Sequence, residues 1–448
     1  MITNWAQNTV DRAFVEQIEI AAQGNADYWA FRKAAHRDGV HGLIQYPAMM
    51  IPTMQAKLLS IARQVHGNVQ RVLDPFVGGG TMLTEVMEQG LDFTGLDINP
   101  LAILACKVKA GPYPVADLSA KVRDLLANIA ADRGLKYEVN FSGQSKWFTK
   151  GASIGLSRIH RAISSVDYLW LRQFFWLSMA ETIRRSSNSR TSTYKLHIRP
   201  EEECNASAEY VISVFADVVT SNAKKIHEQQ RQFAEREVLG EDGYKGRVGV
   251  KFQDALHFEE AGDDEKFDLL FTSPPYGDNT TTIPYGQFSY LALNWIPLSD
   301  IDPLIPKDVN RNTHAIDSAS MGGSLRDAEE KSSKITPVSR AFESFLQELG
   351  GAQTSYGKRL TSFCFDLHRC VESLAKQMAP NGYMVWTLGN RSLDGKRVPL
   401  DKIVWDFLEH TEMRRVSQFV RPIPSKRMPT RNSCSDTMDT EIVLIAGA

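Results

Sequence analysis

Two short stretches carry the residue types that chemistry would need. One is Asp74-Pro75-Phe76-Val77-Gly78-Gly79-Gly80-Thr81, the other Thr272-Ser273-Pro274-Pro275-Tyr276. Glycines between a strand and a helix permit tight backbone geometry and let a ligand approach the main chain. No lysine precedes Thr81, so this is not a phosphate-binding P-loop, and Gly78 and Gly80 keep only the first half of a GxGxxG spacing. The alternative is a structural turn without a ligand. Asp97 follows the loop by about twenty residues. Its carboxylate can accept hydrogen bonds from both hydroxyls of a nucleoside's ribose, or help cap the helix begun by Asn99-Pro100. Asp254 offers a carboxylate to an adenine amino group, or caps a surface turn. Prolines donate no backbone hydrogen bond and cannot continue a central strand. Pro274-Pro275 therefore either merely end the apolar run before them or form a rigid edge of carbonyls at its end.

The elements around these residues alternate. RVLDPF (71–76) and LDFTGLDI (91–98) read as strands. Between them MLTEVMEQG reads as a helix closed by Gly90, and Asn99-Pro100 opens another through Lys109. Such a β-loop-α-β-α unit belongs to the doubly wound α/β class. Pro52 fits the first turn of a helix running to Val65. RVGVKFQDA (247–255), KFDLLFTSPPY (266–276) and GYMVWTLGN (382–390) resume the strand rhythm, and VSQFV and EIVLIAG read as a closing strand pair. The resulting division is a helical extension (1–40), a cofactor-binding half (41–111), a mostly helical insert (112–246), core strands with the second loop (247–276), a polar insert that is the candidate target-recognition region (277–378) and a C-terminal core part (379–448). Inside the first insert, YLWLRQFFWLSMAETI carries an apolar face at helical spacing and reads as core packing.

Composition bounds the rest. The chain has 448 residues, 43% hydrophobic and 23% charged, enough for a large core with insertions. No apolar run approaches the ~20 residues that span a bilayer, and the N-terminus lacks a signal-peptide pattern, so the reading is cytoplasmic, with no membrane partner. The cysteines Cys106, Cys204, Cys364, Cys370 and Cys434 are scattered, which predicts reduced thiols and no metal site. A net charge of −2 excludes a polycation, so nucleic acid must be met by local patches. Arg184–Pro200 and Arg421–Arg431 are the candidates.

Taken together, DPFVGGGT, GLDI and TSPPY resemble the S-adenosylmethionine-dependent DNA amino-methyltransferases, which methylate the exocyclic amine of cytosine (N4) or adenine (N6). The match covers about residues 41–110 and 247–290, and more weakly 380–446. The glycine loop precedes TSPPY, which is the cofactor-first order and not its circular permutation. The resemblance implies a Rossmann-like, mostly parallel sheet with a reversed C-terminal strand and helical inserts. It implies that Asp74, Phe76, Gly78, Gly79, Gly80, Thr81, Asp97, Ile98, Asp254 and Thr272 hold S-adenosylmethionine, with Tyr46 and Pro47 covering its methionine part. Phe76 in core packing, and 41–52 as a plain helix-leading loop, stay open.

The resemblance makes Ser273, Pro274, Pro275 and Tyr276 catalytic. An exocyclic base amine is a poor nucleophile because its lone pair is delocalised into the ring. Acceptors aimed at its protons, here the Ser273 hydroxyl and the Pro274 carbonyl, localise that pair and stabilise the charge that develops on nitrogen. Prolines hold the carbonyl in place. Tyr276 would stack against a base extruded from double-stranded DNA, or is an ordinary tyrosine. Ser in the first position is more typical of N4-cytosine enzymes and Asp or Asn of N6-adenine enzymes. The leading expectation is thus site-specific N4-cytosine methylation of DNA in restriction-modification or phage defence. N6-adenine methylation, RNA (tRNA) base methylation and a subunit of a defence complex are the alternatives; a dehydrogenase would leave SPPY unexplained. Asn279, Tyr285 and Gln287 could edge the target base or form a lid, and Arg311, Lys331 and Lys334 are candidate DNA contacts.

Overall fold

The computed structural model describes residues 2–25, 27–32, 37–258, 266–278, 282–423 and 439–448. Among them eight strands form the main sheet: β1 (Ile2–Asn4), β2 (Arg71–Asp74), β3 (Asp92–Asp97), β4 (Val248–Phe252), β5 (Phe267–Thr272), β6 (Met378–Leu388), β7 (Arg414–Pro422) and β8 (Thr440–Gly447). Their order is β1-β7-β8-β6-β5-β2-β3-β4. The five strands from β4 to β6 pair in parallel. β8 runs antiparallel to β6 and β7, and β1 antiparallel to β7. The fold is α/β, doubly wound and Rossmann-like, mostly parallel with a reversed C-terminal strand.

Alternation along the strands builds two separate cores. Leu269 and Phe271 of β5, Tyr383 and Val385 of β6, and Val443 and Ile445 of β8 face one side. Leu270, Met384, Trp386, Ile442 and Leu444 face the other. A strand covered on both faces must be apolar at successive positions, which is why FDLLFT and EIVLIAG read as near-continuous runs.

The first face is covered by α1 (Thr9–Ala22), α2 (Pro52–His66), α3 (Thr81–Met87), α4 (Pro100–Ala110) and the insert helices α5 (Leu118–Ala131), α6 (Lys150–Ser164), α7 (Leu169–Ser186) and α8 (Ala208–Glu235). Helix α7 is the aromatic segment, and Trp170, Phe174, Phe175 and Trp176 are all buried in the core. Helix α9 (Tyr285–Leu293) joins them, and α10 (Ser355–Ala375) and α11 (Leu400–His410) cover the second face. No helix is long and apolar enough to cross a membrane among the described residues.

Three segments differ from the sequence reading. Residues 1–40 are not only helical, because Ile2–Asn4 pairs with Ser417–Phe419 as the edge strand. Three residues are too few to show a period. The polar stretch after the second loop contains helices, including α9. Within the same insert, α10 buries Leu360, Phe363, Leu367, Val371 and Leu374 against the sheet. Parallel neighbours such as β5 and β6 need a crossover, and α10 is the last helix of that connection, so it belongs to the core and not to an insert ending at 378.

Candidate active site

The connections run outward in both directions from the β2–β5 pair, with β3 and β4 on one side and β6 on the other. Ligands bind at such a switch point, beyond the carboxyl ends of the strands. The glycine loop leaves β2 there and TSPPY leaves β5, with Val72 and Leu73 in register with Leu269 and Leu270. The sheet therefore brings together two stretches nearly 200 residues apart in the chain. Thr272 Oγ1 donates to Asp74 Oδ1 at 2.9 Å and ties their roots directly.

Between them lies a cleft of about 870 Å³, its open mouth included. Of the residues singled out in the sequence, Tyr46, Pro47, Phe76, Gly78, Gly79, Thr81, Asp97, Ile98, Asp254, Ser273, Pro275 and Tyr285 line it. Asp74, Gly80, Thr272, Pro274 and Tyr276 do not.

Asp74 is fully buried behind the loop, where Oδ1 also accepts the Phe76 N–H at 3.2 Å. Burial pushes its carboxyl up to about 7. It anchors the loop from within and is not placed to touch a ligand. Gly80 also serves the loop's shape. Its φ is +74°, and a Cβ there would lie 2.9 Å from Cys106 Sγ. Lys109, buried on α4, donates to the Gly79 carbonyl at 2.6 Å. Burial lowers its ammonium to about 8.

Asp97 ends β3. Its Oδ2 accepts the Gly78 N–H at 3.0 Å and its Oδ1 the Asn99 N–H at 2.7 Å. The N-cap of α4 is Asn99, whose side chain accepts from Leu101 N, so Asp97 is a bracket between the loop and the helix entrance. It still faces the cleft. Burial raises its carboxyl to about 6 even against its backbone donors. Asp254 accepts the Leu256 N–H at 3.0 Å, so the capping alternative is realised, and it also lines the cleft.

The 41–50 segment closes the glycine-loop side. A Cβ on Gly79 would lie 3.2 Å from both Met49 Cγ and Tyr46 Cβ. The Tyr46 ring stacks on Tyr285 of α9, centroids 6.0 Å apart, and its hydroxyl accepts from Asn99 Nδ2 at 3.0 Å. The helical insert props this segment from outside. Asn222 Nδ2 donates to the Leu43 carbonyl at 3.0 Å and Lys225 Nζ to the Gly42 carbonyl at 2.6 Å, both from α8. Sequence reasoning missed Met49, Met50, Gln253, Met321 and Ser320 as lining residues. Gln253 could have been found, because it directly precedes Asp254 at the end of a strand. Met321 and Ser320 carry no local signal.

On the other side, Ser273 Oγ lies 3.0 Å from Tyr276 Oη. Tyr276 Oη donates to Glu441 Oε1, also at 3.0 Å. The Tyr276 ring packs against the second core. Its place as a stacking face is thus revised: its hydroxyl is engaged with Ser273 and Glu441, and the ring is not part of the cleft wall.

Several suggested nucleic-acid contacts have partners within the chain. Arg184 and Arg185 both bind Glu181 of α7. Arg421 is buried and paired with Glu441, so it does not contact a phosphate. Residues 424–431 of that run lie outside the described residues, as do Asn279 and Cys434. Gln287 Oε1 accepts the Leu196 N–H at 3.2 Å and so tethers the Arg184–Pro200 segment. Arg311 and Lys334 form exposed pairs with Asp308 and Glu330, and Lys331 donates to the Ser324 carbonyl. Exposed pairs are weak and leave these cations able to meet another anion. Away from the cleft, His368, Glu372 and His410 bring potential ligand atoms within 4.8 Å of one another, a grouping made by two helices and invisible in sequence spacing.

No family model matches the chain. It is similar to the Type II methyltransferase M.MvaI of Kocuria varians, 28% identical over 458 residues that cover 98% of this chain and 97% of that protein. A shorter likeness, 35% over 88 residues, covers 19% of this chain and 16% of the Type II methyltransferase M.MjaII of Methanocaldococcus jannaschii. Another, 34% over 88 residues, covers 19% of this chain and 27% of the ribosomal RNA small subunit methyltransferase H of Gemmatimonas aurantiaca. The chain is thus similar, over nearly its whole length, to a Type II methyltransferase.

Proposed function

We propose that the chain is a site-specific DNA methyltransferase that transfers a methyl group from S-adenosylmethionine to the exocyclic N4 amine of cytosine. The observation that carries this reading is that Asp97 and Ser273 line one cleft, from the ends of two strands flanking β2. A carboxylate and a hydroxyl on opposite sides of one cleft suit a two-substrate reaction. The likeness to Type II methyltransferases supports the same reading.

The residues fit the cofactor. The Asp97 carboxylate faces the cleft and suits a sugar's two hydroxyls. Gly79 lets the loop pack closely under Met49 and Tyr46, which a Cβ there would press at 3.2 Å. Phe76, Ile98 and Met49 give apolar walls, and Asp254 supplies an acceptor for an amino group. Thr81 lines the same wall, and Tyr46-Pro47 cover it. S-adenosylmethionine, when bound, supplies an electrophilic methyl group on a sulfonium.

The chain's own residues would do the rest. Ser273 Oγ accepts one amine proton, and the carbonyl of Pro274, whose neighbours Ser273 and Pro275 both line the cleft although Pro274 itself does not, accepts the other. This localises the nitrogen lone pair, and the contacts strengthen as positive charge develops on nitrogen. Such acceptors need no covalent intermediate. The base must leave the duplex stack to reach Ser273, at a cost of a few kcal/mol. Tyr285, an aromatic lining residue outside the TSPPY loop, joins Phe76 as a face on which a flat ring could rest. Arg311, Lys331 and Lys334 are proposed phosphate contacts, which give affinity and salt dependence but no sequence information. The division into cofactor half, helical insert and target-recognition insert, the last ending before α10, is part of this proposal.

The test is to incubate the protein with S-adenosylmethionine and, separately, unmethylated DNA and total RNA, then identify the methylated nucleoside by mass spectrometry. N4-methylcytosine from DNA is expected. N6-methyladenine would keep the mechanism and overturn the base. A second reading, an RNA base methyltransferase, is favoured by the short likeness to a ribosomal RNA methyltransferase; a methylated RNA nucleoside with unmodified DNA would establish it instead.

A further inference from the structure

Ser273 is the first member of a side-chain series that leaves the cleft. Its Oγ meets Tyr276 Oη, Tyr276 Oη donates to Glu441 Oε1, and Glu441 Oε2 accepts from Arg421 Nε at 2.9 Å and from Nη2 at 2.5 Å. Arg421 and Glu441 sit opposite each other on β7 and β8. Their side chains are only 4% and 17% exposed, so this is not a solvated surface pair. A loop after a parallel strand is thus tied to the antiparallel end of the sheet.

Counting protons gives the series a direction. A phenol has one hydrogen, a hydroxyl one, and a carboxylate none. Glu441, paired with the Arg421 guanidinium, can only accept. Tyr276 must then spend its hydrogen on Glu441 and can only accept from Ser273. Ser273 must donate its own hydrogen to Tyr276. What remains on Ser273 Oγ toward the cleft is lone pairs. Burial, and then the neighbouring Glu441, push the Tyr276 phenol well up from its ordinary value, so it keeps its hydrogen.

We infer that Glu441, seated on Arg421, is a positioning residue that fixes the hydrogen-bond direction of Ser273 through Tyr276, so that the site takes N–H donors. This rests on the proposed role of Ser273 and deepens it. The site would accept the amine of cytosine or adenine and disfavour the keto oxygen at the same position of thymine or uracil, because two facing acceptors repel. Tyr276 acts here through its hydroxyl.

Glu441→Gln tests the direction with little change of shape. Arg421 still needs an acceptor, so the amide oxygen turns to Arg421 and the amide NH2 turns to Tyr276. The series then reverses, and Ser273 points its hydrogen into the cleft. With unmethylated DNA as substrate we expect kcat to fall by about tenfold or more with the Kd for S-adenosylmethionine unchanged, while loss of the buried counter-ion of Arg421 lowers Tm. Tyr276→Phe frees Ser273 to rotate, so its kcat should fall less than that of Glu441→Gln. Adding Glu441→Gln to Tyr276→Phe should then change nothing further. A purely structural role would give the opposite order, since Tyr276→Phe loses both hydrogen bonds. Wild-type kcat in Glu441→Gln, or an undiminished effect of it in the Tyr276→Phe background, would overturn the inference. Because Glu441→Gln also lowers Tm, the order of kcat losses in Tyr276→Phe and the double variant, read well below Tm, decides between direction and structure. Ser273→Ala separates the two levels. Full activity there defeats the role of Ser273 itself, whereas a loss there beside a normal Glu441→Gln defeats only the direction argument.

Discussion

The two loops of the cleft are built by opposite means. The glycine loop is held by main-chain contacts inside one compact unit. Gly78 N–H goes to Asp97, the Gly79 carbonyl to Lys109, and Cβ-free Gly79 and Gly80 sit against Met49, Tyr46 and Cys106. The TSPPY loop is held by side chains that reach residues more than 100 positions away, at Glu441 and Asp74. Packing against bare backbone penalises an added atom, whereas a side-chain series tolerates shape changes but not a change of hydrogen-bond polarity. The first loop should therefore govern cofactor affinity and the second the rate.

The largest effect is expected from Ser273→Ala. Removing one preorganised contact to the developing charge costs roughly 10²–10³ in kcat. Calorimetry should find S-adenosylmethionine affinity unchanged. Normal turnover with weakened binding would reverse the comparison. Next is Asp97→Ala, which removes a charged acceptor; at about 1.5–3 kcal/mol per such hydrogen bond, the cofactor Kd should rise roughly 10- to 100-fold. An unchanged Kd would take the ribose role from Asp97.

The pH dependence of binding sharpens the same point. Asp97 is raised to about 6 by burial, and hydroxyl donors favour its charged form. Affinity should increase as pH rises toward 6, up to about tenfold per unit below that value, and level off above it. The folding linkage has the opposite sign. A raised carboxyl favours the native state most below its unfolded value, and that contribution is lost as pH rises through about 6. Affinity that stays flat from pH 5 to 8 would mean that Asp97 does not contact the cofactor. The smallest effect is expected from Gly79→Ala. The added methyl meets Met49 and Tyr46 at 3.2 Å, and relieving this costs about 1–3 kcal/mol, read as weaker cofactor binding at unchanged kcat.

The glycine loop, Asp97 and TSPPY were legible in the sequence because each is a short motif in a fixed position relative to a strand. So were most of the sheet's strands, whose apolar runs reflect burial on both faces. Asp74 was legible as part of the motif, but its role was not; burial behind the loop, rather than the cleft, decided it. The edge strand β1 escaped because three residues cannot display a period. The core helix α10 escaped because it follows a long polar stretch, and only the sheet's need for a crossover identifies it.

The sequence by itself determined the class of fold, the two loops and the order in which they occur. Local backbone chemistry decides those features, and it is written in neighbouring residues. Only the tertiary structure decided that Tyr276 is tied to Glu441, that Arg421 is buried, and that Tyr285 stacks over Tyr46. Those contacts join residues between 165 and 239 positions apart, or turn on which face of a strand is covered. A hydroxyl's direction depends on what its distant partner can donate or accept, and no spacing along the chain encodes that.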